Sequence, residues 1–153
     1  MGNRLDNLRR AVALIKPLGE ITKRSMVYET PPWGIEAQPR FLNACVLLET
    51  AVQPNFLLDK LKEIEQSVGR VESEHWGPRE IDIDILTYGE DVINDAGLTV
   101  PHPLMRERAF VLFPLSEIAP EMKIAPDNSE VSDMARKIRE TSGEDGIVLI
   151  TPL

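Results

Sequence analysis

The chain predicts an α+β fold, a largely antiparallel sheet with helices packed on it, and three features of the sequence carry that expectation. Apolar residues recur at helical spacing in three stretches, Leu5/Leu8/Val12/Ile15, Leu57/Leu61/Ile64/Val68 and Val131/Met134/Ala135/Ile138. That is the pattern of a helix with one buried face. Between them lie strand-like stretches: a nearly continuous apolar run from Phe41 to Thr50 and the alternation Glu80-Ile81-Asp82-Ile83-Asp84-Ile85. A period of two puts the three isoleucines on one strand face and the carboxylates on the other. Strands and helices mix without the regular alternation that builds a parallel sheet. At 153 residues a single domain, 1–153, is expected.

In order, Asn3 is placed to cap the first helix, which runs out near Pro17-Leu18-Gly19. Ile21 to Tyr28 alternates loosely as a strand and leads into Thr30-Pro31-Pro32-Trp33-Gly34, where two prolines exclude helix and ladder alike. Asn43 interrupts the apolar run 41–50; an amide in such a run costs stability unless partnered, and a ligand is one candidate partner. Pro54 opens the second helix and Gly69 closes it, with Glu65 near the last turn. A polar loop leads to the rigid turn Trp76-Gly77-Pro78-Arg79 and the acidic strand. Val92-Ile93 and Leu98 to Val100 predict a short strand pair around a turn at 94–97. After Pro101-His102-Pro103, the segment Leu104 to Phe113 carries Arg106, Arg108 and Phe110, and Pro114 starts a short helix through Ile118. Ser129 is a cap for the last helix, and Ile147 to Ile150 is a final apolar strand.

Composition narrows the function classes. A formal charge of -8 and a pI near 4.8 argue against a nucleic-acid partner, which needs a basic footprint. No apolar run approaches the ~20 residues of a membrane span, and no signal peptide is visible. The single cysteine, Cys45, sits in an apolar run and reads as a core residue in a protein of the reducing cytoplasm. The acidic strand asks for more than folding, because aspartate is a poor strand former. Asp82 and Asp84 stand about 6.6 Å apart at Cα, given roughly 3.3 Å of rise per residue. Carboxylates for a divalent cation beside the guanidinium of Arg79 make the chemistry of a nucleotide-magnesium site.

Two segments, Trp76-Gly77-Pro78-Arg79-Glu80-Ile81-Asp82-Ile83-Asp84-Ile85-Leu86 and Val100-Pro101-His102-Pro103-Leu104-Met105-Arg106-Glu107-Arg108-Ala109-Phe110-Val111-Leu112, closely resemble the signatures of the 6-hydroxymethyl-7,8-dihydropterin pyrophosphokinases of folate biosynthesis. Tyr28-Glu29-Thr30-Pro31-Pro32, Gln38-Pro39, Phe41-Leu42-Asn43-Ala44, Ile64-Glu65 with Gly69-Arg70, and Pro114 to Pro120 follow that family in the same order. The resemblance implies a ferredoxin-like fold, ATP with two Mg²⁺ ions, and transfer of the terminal diphosphate of ATP to the pterin hydroxymethyl group with release of AMP. It also implies a monomer whose partners are these two small molecules.

Carried over residue by residue, the resemblance makes Asp82 and Asp84 metal ligands and, with Arg70 and Arg79, the catalytic set. ATP-binding residues are then Glu65, Arg70, Trp76, Arg79, His102 and Arg108. Pterin-binding residues are Thr30, Pro31, Pro32, Trp33, Phe41, Asn43, Trp76 and Phe110, with the two phenylalanines stacking on the heterocycle and Asn43 meeting its amide-like edge. Trp76 rides on a loop that closes over the substrates in the family. Family members begin with an apolar strand ending in Gly-Ser-Asn, and Met1 falls just after that loop. The flanking strands are therefore expected to close on each other or recruit a substitute, Ile147 to Ile150 being the spare strand, with weak activity and self-association as consequences. Two other readings remain: a non-catalytic remnant that binds pterin or nucleotide, and a metal-dependent phosphohydrolase using the same aspartates.

Overall fold

The computed structural model describes residues 4–30, 41–72, 81–142 and 147–153, the side chains of 70–72 and 142 excepted. The chain forms two compact units, one of Met1–Ile21 with Leu48–His102 and one of Thr22–Leu47 with Pro103–Leu153.

The first unit is built on two helices, α1 (Arg4–Ile15) and α2 (Pro54–Glu72). The predicted spacing becomes their shared core: Ala11 and Ile15 of α1 pack with Leu57, Leu61, Ile64 and Val68 of α2 and with Ile81. Pro54 opens α2 as expected, but Gly69 does not close it, because the helix continues to Glu72. A glycine inside a helix costs only about 1 kcal/mol relative to alanine, so one more turn is accessible.

Two strands lead away from these helices, β1 (Glu20–Arg24) and β4 (Val46–Glu49), and they pair with each other. The first unit also holds the predicted short hairpin, β5 (Ile93–Asn94) with β6 (Thr99–Val100), closed by exchanged backbone bonds between Asp95 and Leu98.

The second unit centres on a three-stranded antiparallel sheet in the order β3 (Phe41–Asn43), β2 (Met26–Thr30), β9 (Val148–Pro152). Helix α3 (Ala109–Ile118) lies on β2 and β3, and α4 (Val131–Ser142) packs on α3. A small hairpin, β7 (Lys123–Ile124) with β8 (Ser129–Glu130), precedes α4. The α+β class and the antiparallel pairing are as the sequence predicts.

Several expectations are corrected. The apolar run 41–50 is two strands, since Ala44 and Cys45 break it; the loose strand at 21–28 is likewise divided at Ser25. These breaks face each other, with Ser25 N donating to Cys45 O and Cys45 N to Ser25 Oγ, both at 2.9 Å. Pro114 lies inside α3, which begins five residues earlier. Proline there has no N–H to give the carbonyl of Phe110, and burial of Leu112, Phe113, Leu115 and Ile118 outweighs that loss. The acidic segment 81–88 has no ladder among the described residues. The C-terminal strand is present, but it pairs with β2 in the register Tyr28↔Leu149 and Glu29↔Val148 rather than beside the acidic segment. The proposed cap Asn3 lies outside the described residues.

Candidate active site

Although unpaired as a ladder among the described residues, segment 81–85 keeps its alternation. Ile81 is buried in the α1/α2 core with Ile83 and Ile85 partly buried beside it, while Asp82 and Asp84 are exposed. The isoleucines therefore aim the carboxylates outward, as a period-two pattern requires. Three further contacts hold the segment. Glu65 on α2 accepts the main-chain N–H of Ile83 at 2.5 Å. The main-chain N–H of His102 donates to Leu86 O at 2.8 Å. Tyr88 Oη donates to Val52 O at 2.5 Å. The first unit thus brings Asp82, Asp84, Glu65 and His102 around one segment.

Glu65 points inward, its side chain 7% exposed and also bonded by Lys62 Nζ at 3.3 Å. The helical position of Glu65 was legible in the sequence, whereas its inward direction was not.

Asp82 and Asp84 suit magnesium chemically. Exposed carboxylates are hard oxygen donors, and magnesium is commonly held by one or two carboxylates, with substrate phosphates and water completing its shell. Among the described residues no group of three or more His, Cys, Asp or Glu side chains could enclose a metal ion.

In the second unit the pairings Tyr28↔Asn43 and Thr30↔Phe41 put these four residues on one face of the sheet. Asn43 Nδ2 donates to Oγ1 of the buried Thr30 at 3.2 Å, so the amide does have a protein partner. Phe41 is 46% exposed and is no core aromatic. Phe110 lies in the first turn of α3, which lies on β2 and β3, and the Arg108 guanidinium stacks 5.6 Å from its ring centroid. Thr30, Phe41, Asn43, Phe110 and Arg108 thus belong to one unit. Pro31, Pro32, Trp33, Trp76, Arg79 and the side chain of Arg70 lie outside the described residues.

Arg106, named in the sequence only as part of the signature, ties that segment down. Its guanidinium donates to both carboxylate oxygens of Asp127, at 3.1 and 2.7 Å, and to the carbonyls of Ile124 and Ala125 at 3.0 and 2.9 Å. These bonds from Arg106, with those from Ser129, hold the Asp127 carboxyl well below the usual carboxylate range. Only the fold reveals this role, because Arg106 and Asp127 are far apart in sequence.

Burial and the nearby charge of Glu117 push the Cys45 thiol up to about 12, which removes it as a nucleophile at neutral pH. Glu117 itself holds β2: it accepts the Met26 N–H with both oxygens, at 3.0 and 3.1 Å, and the Tyr28 hydroxyl at 2.9 Å. Burial first, and then this bond, raise Tyr28 to about 12.

Comparison with known proteins shows the family. The family model described as 7,8-dihydro-6-hydroxymethylpterin-pyrophosphokinase (HPPK) matches residues 1–120. The 2-amino-4-hydroxy-6-hydroxymethyldihydropteridine pyrophosphokinase of Aquifex aeolicus is 44% identical over 122 residues, covering 80% of this chain and 76% of the relative. That of Bacillus subtilis is 39% identical over 151 residues, covering 97% and 90%. The mitochondrial folate synthesis bifunctional protein of Arabidopsis thaliana is 43% identical over 133 residues, 86% of this chain but 24% of that longer protein. The chain belongs to the 7,8-dihydro-6-hydroxymethylpterin-pyrophosphokinase family.

Proposed function

We propose that the chain transfers the terminal diphosphate of ATP to the hydroxymethyl group of 6-hydroxymethyl-7,8-dihydropterin in folate biosynthesis, releasing AMP. The observation that carries this reading is the outward pair Asp82 and Asp84 on a segment anchored to α2, in a chain of this family. These carboxylates would hold two Mg²⁺ ions together with the triphosphate, and the ions would neutralise its charge and that developing on the transferred group. His102 and Arg108 serve as donors to phosphate oxygens, joined by Arg70 and Arg79, whose planar forks suit such oxygens. The family resemblance assigns Trp76, outside the described residues, to both substrates.

On the pterin side, Phe41 and Phe110 offer ring faces, and Asn43, held by Thr30, presents its amide to the heterocycle edge. The family resemblance adds Pro31, Pro32 and Trp33 as pterin contacts, and these lie outside the described residues. The hydroxymethyl oxygen attacks the β-phosphorus in line and gives up its proton to solvent, the bond from that phosphorus to the oxygen bridging to the α-phosphate breaks, and AMP leaves with that oxygen. Catalysis is then positioning and charge stabilisation, with no covalent enzyme intermediate. The shielded thiol of Cys45 accords with a reducing compartment such as the cytoplasm.

The test is a coupled assay for AMP in Mg²⁺ buffer with and without the pterin. The wild type should release AMP only with pterin present. Asp82→Asn and Asp84→Asn should each lose at least roughly a hundredfold in kcat, on the scale of lost electrostatic stabilisation, at an unchanged unfolding midpoint. Full AMP formation in either variant would remove the metal assignment; phosphate release from ATP without pterin would instead indicate a phosphohydrolase.

A further inference from the structure

Glu65 is the one charged residue among the buried polar residues of the described chain. A carboxylate withdrawn from water needs compensating hydrogen bonds, and Glu65 finds them in the Lys62 ammonium and the main-chain N–H of Ile83. That N–H belongs to the residue between Asp82 and Asp84. Placing a third carboxylate beside two others works against Coulomb repulsion, so packing alone gives no reason for glutamate here; leucine would fill similar volume at no electrostatic cost.

Geometry supplies a reason. Among the described residues, segment 81–88 takes no orientation from a ladder. Isoleucine packing fixes which face is buried, but apolar contacts are non-directional and leave rotation of individual peptide planes soft. A bond from a rigid helix to the Ile83 amide fixes the peptide plane that joins Asp82 to Ile83. The directions in which the flanking Cα–Cβ bonds leave the chain are set with it.

We propose that Glu65 is a positioning residue, whose carboxylate on α2 clamps the Ile83 amide and thereby aims Asp82 and Asp84 at the cation they share with nucleotide phosphates. This rests on the diphosphokinase reading of the two aspartates. It differs from a direct nucleotide contact, the role expected from family resemblance, because a clamp acts on metal binding and not on the nucleoside.

The experiment uses the full chain as wild type and as two variants: Glu65→Gln, which keeps an acceptor oxygen, and Glu65→Leu, which keeps volume without one. Free Mn²⁺ is titrated by electron paramagnetic resonance in the presence of ATP, and AMP binding is measured by calorimetry without metal. Glu65→Leu should weaken Mn²⁺ retention by roughly ten- to a hundredfold, the usual scale for an outer partner of a metal ligand, with AMP affinity unchanged. Glu65→Gln should stay within about threefold of wild type, on the same scale of outer-partner effects.

Unchanged Mn²⁺ affinity in Glu65→Leu overturns the clamp, as does a parallel loss of AMP affinity or a glutamine variant as weak as the leucine one. A wild type that retains no Mn²⁺ overturns the diphosphokinase reading and the clamp together. Should Glu65→Leu fail to fold, amide exchange at Ile83 in wild type decides: slow exchange supports the clamp, and exchange as fast as at an open amide overturns it.

Discussion

A single thiol shows how far a residue's chemistry can be read before its surroundings are known. The apolar neighbours of Cys45 predict a shielded side chain, and the structure half-buries it with its sulfur 3.9 Å from Val111 O. Its shift, however, owes part of its size to Glu117, which is distant in sequence and becomes a neighbour only through folding. Because the folded thiol titrates near 12 against an ordinary 9.0, the folded state holds the proton more tightly. The associated stability is fully present below pH 9 and is lost as pH rises toward 12. Tyr28, raised from 10.0 to about 12, acts in the same direction. Denaturant midpoints should thus be flat from pH 7 to 9 and fall above it, and Cys45→Ala should fall less steeply. At pH 8 iodoacetamide should label the native thiol at least about tenfold more slowly than the urea-unfolded one, since only the thiolate reacts; equal rates would contradict the shielding. Asp82 and Asp84 were legible for a simpler reason. Alternation with three isoleucines leaves carboxylates only one direction to face, whereas the inward turn of Glu65 depends on where the Ile83 amide lies.

Among elements, the buried helix faces were legible, while the strand limits, the end of α2 and the start of α3 were not, and the physical difference is locality. The spacing of Leu57, Leu61, Ile64 and Val68 states its own buried face, and the core confirms it. Strand breaks at Ser25 and Cys45 exist because two distant stretches exchange bonds with each other, which no local pattern encodes. The C-terminal strand was foreseen, but its neighbour was not, because an apolar stretch fits any open sheet edge. At Gly19 the reverse holds: the sequence suggested only a helix end, and the structure shows close approach. A Cβ built on Gly19 would overlap the carbonyl oxygen of Glu49. The backbone of Glu49 is part of β4 and cannot swing aside as a flexible side chain would. Gly19→Ala should therefore cost about 1–3 kcal/mol, the range for inserting atoms into filled space, through displacement of the β1–β4 pair. Gly69→Ala is the control, since a Cβ there meets nothing within 4 Å; it should stabilise α2 by up to about 1 kcal/mol. Urea unfolding of both variants checks the pair, and equal stability of Gly19→Ala and wild type would refute the close approach.

For the molecule as a whole, the relevant quantity is charge. The chain carries a formal -8, and its proposed co-substrate remains anionic even with magnesium bound, so the long-range field opposes their encounter. At the proposed site the sign would reverse locally, through the arginines and the ions that Asp82 and Asp84 would hold. Salt separates these two ranges because the Debye length shortens from about 30 Å at 0.01 M to about 8 Å at 0.15 M. Repulsion from charges spread over the surface acts across distances longer than that and is screened away. Pairings at the phosphates act within a few ångströms and are screened much less. Raising NaCl from about 0.01 to 0.15 M should thus accelerate association of magnesium-ATP severalfold, the inverse of the behaviour of a basic protein steering an anion inward. Stopped-flow binding with a fluorescent ATP analogue measures the rate directly. An association rate that falls with salt would mean that the arginine field reaches past the acidic surface, and that the net charge does not govern the encounter.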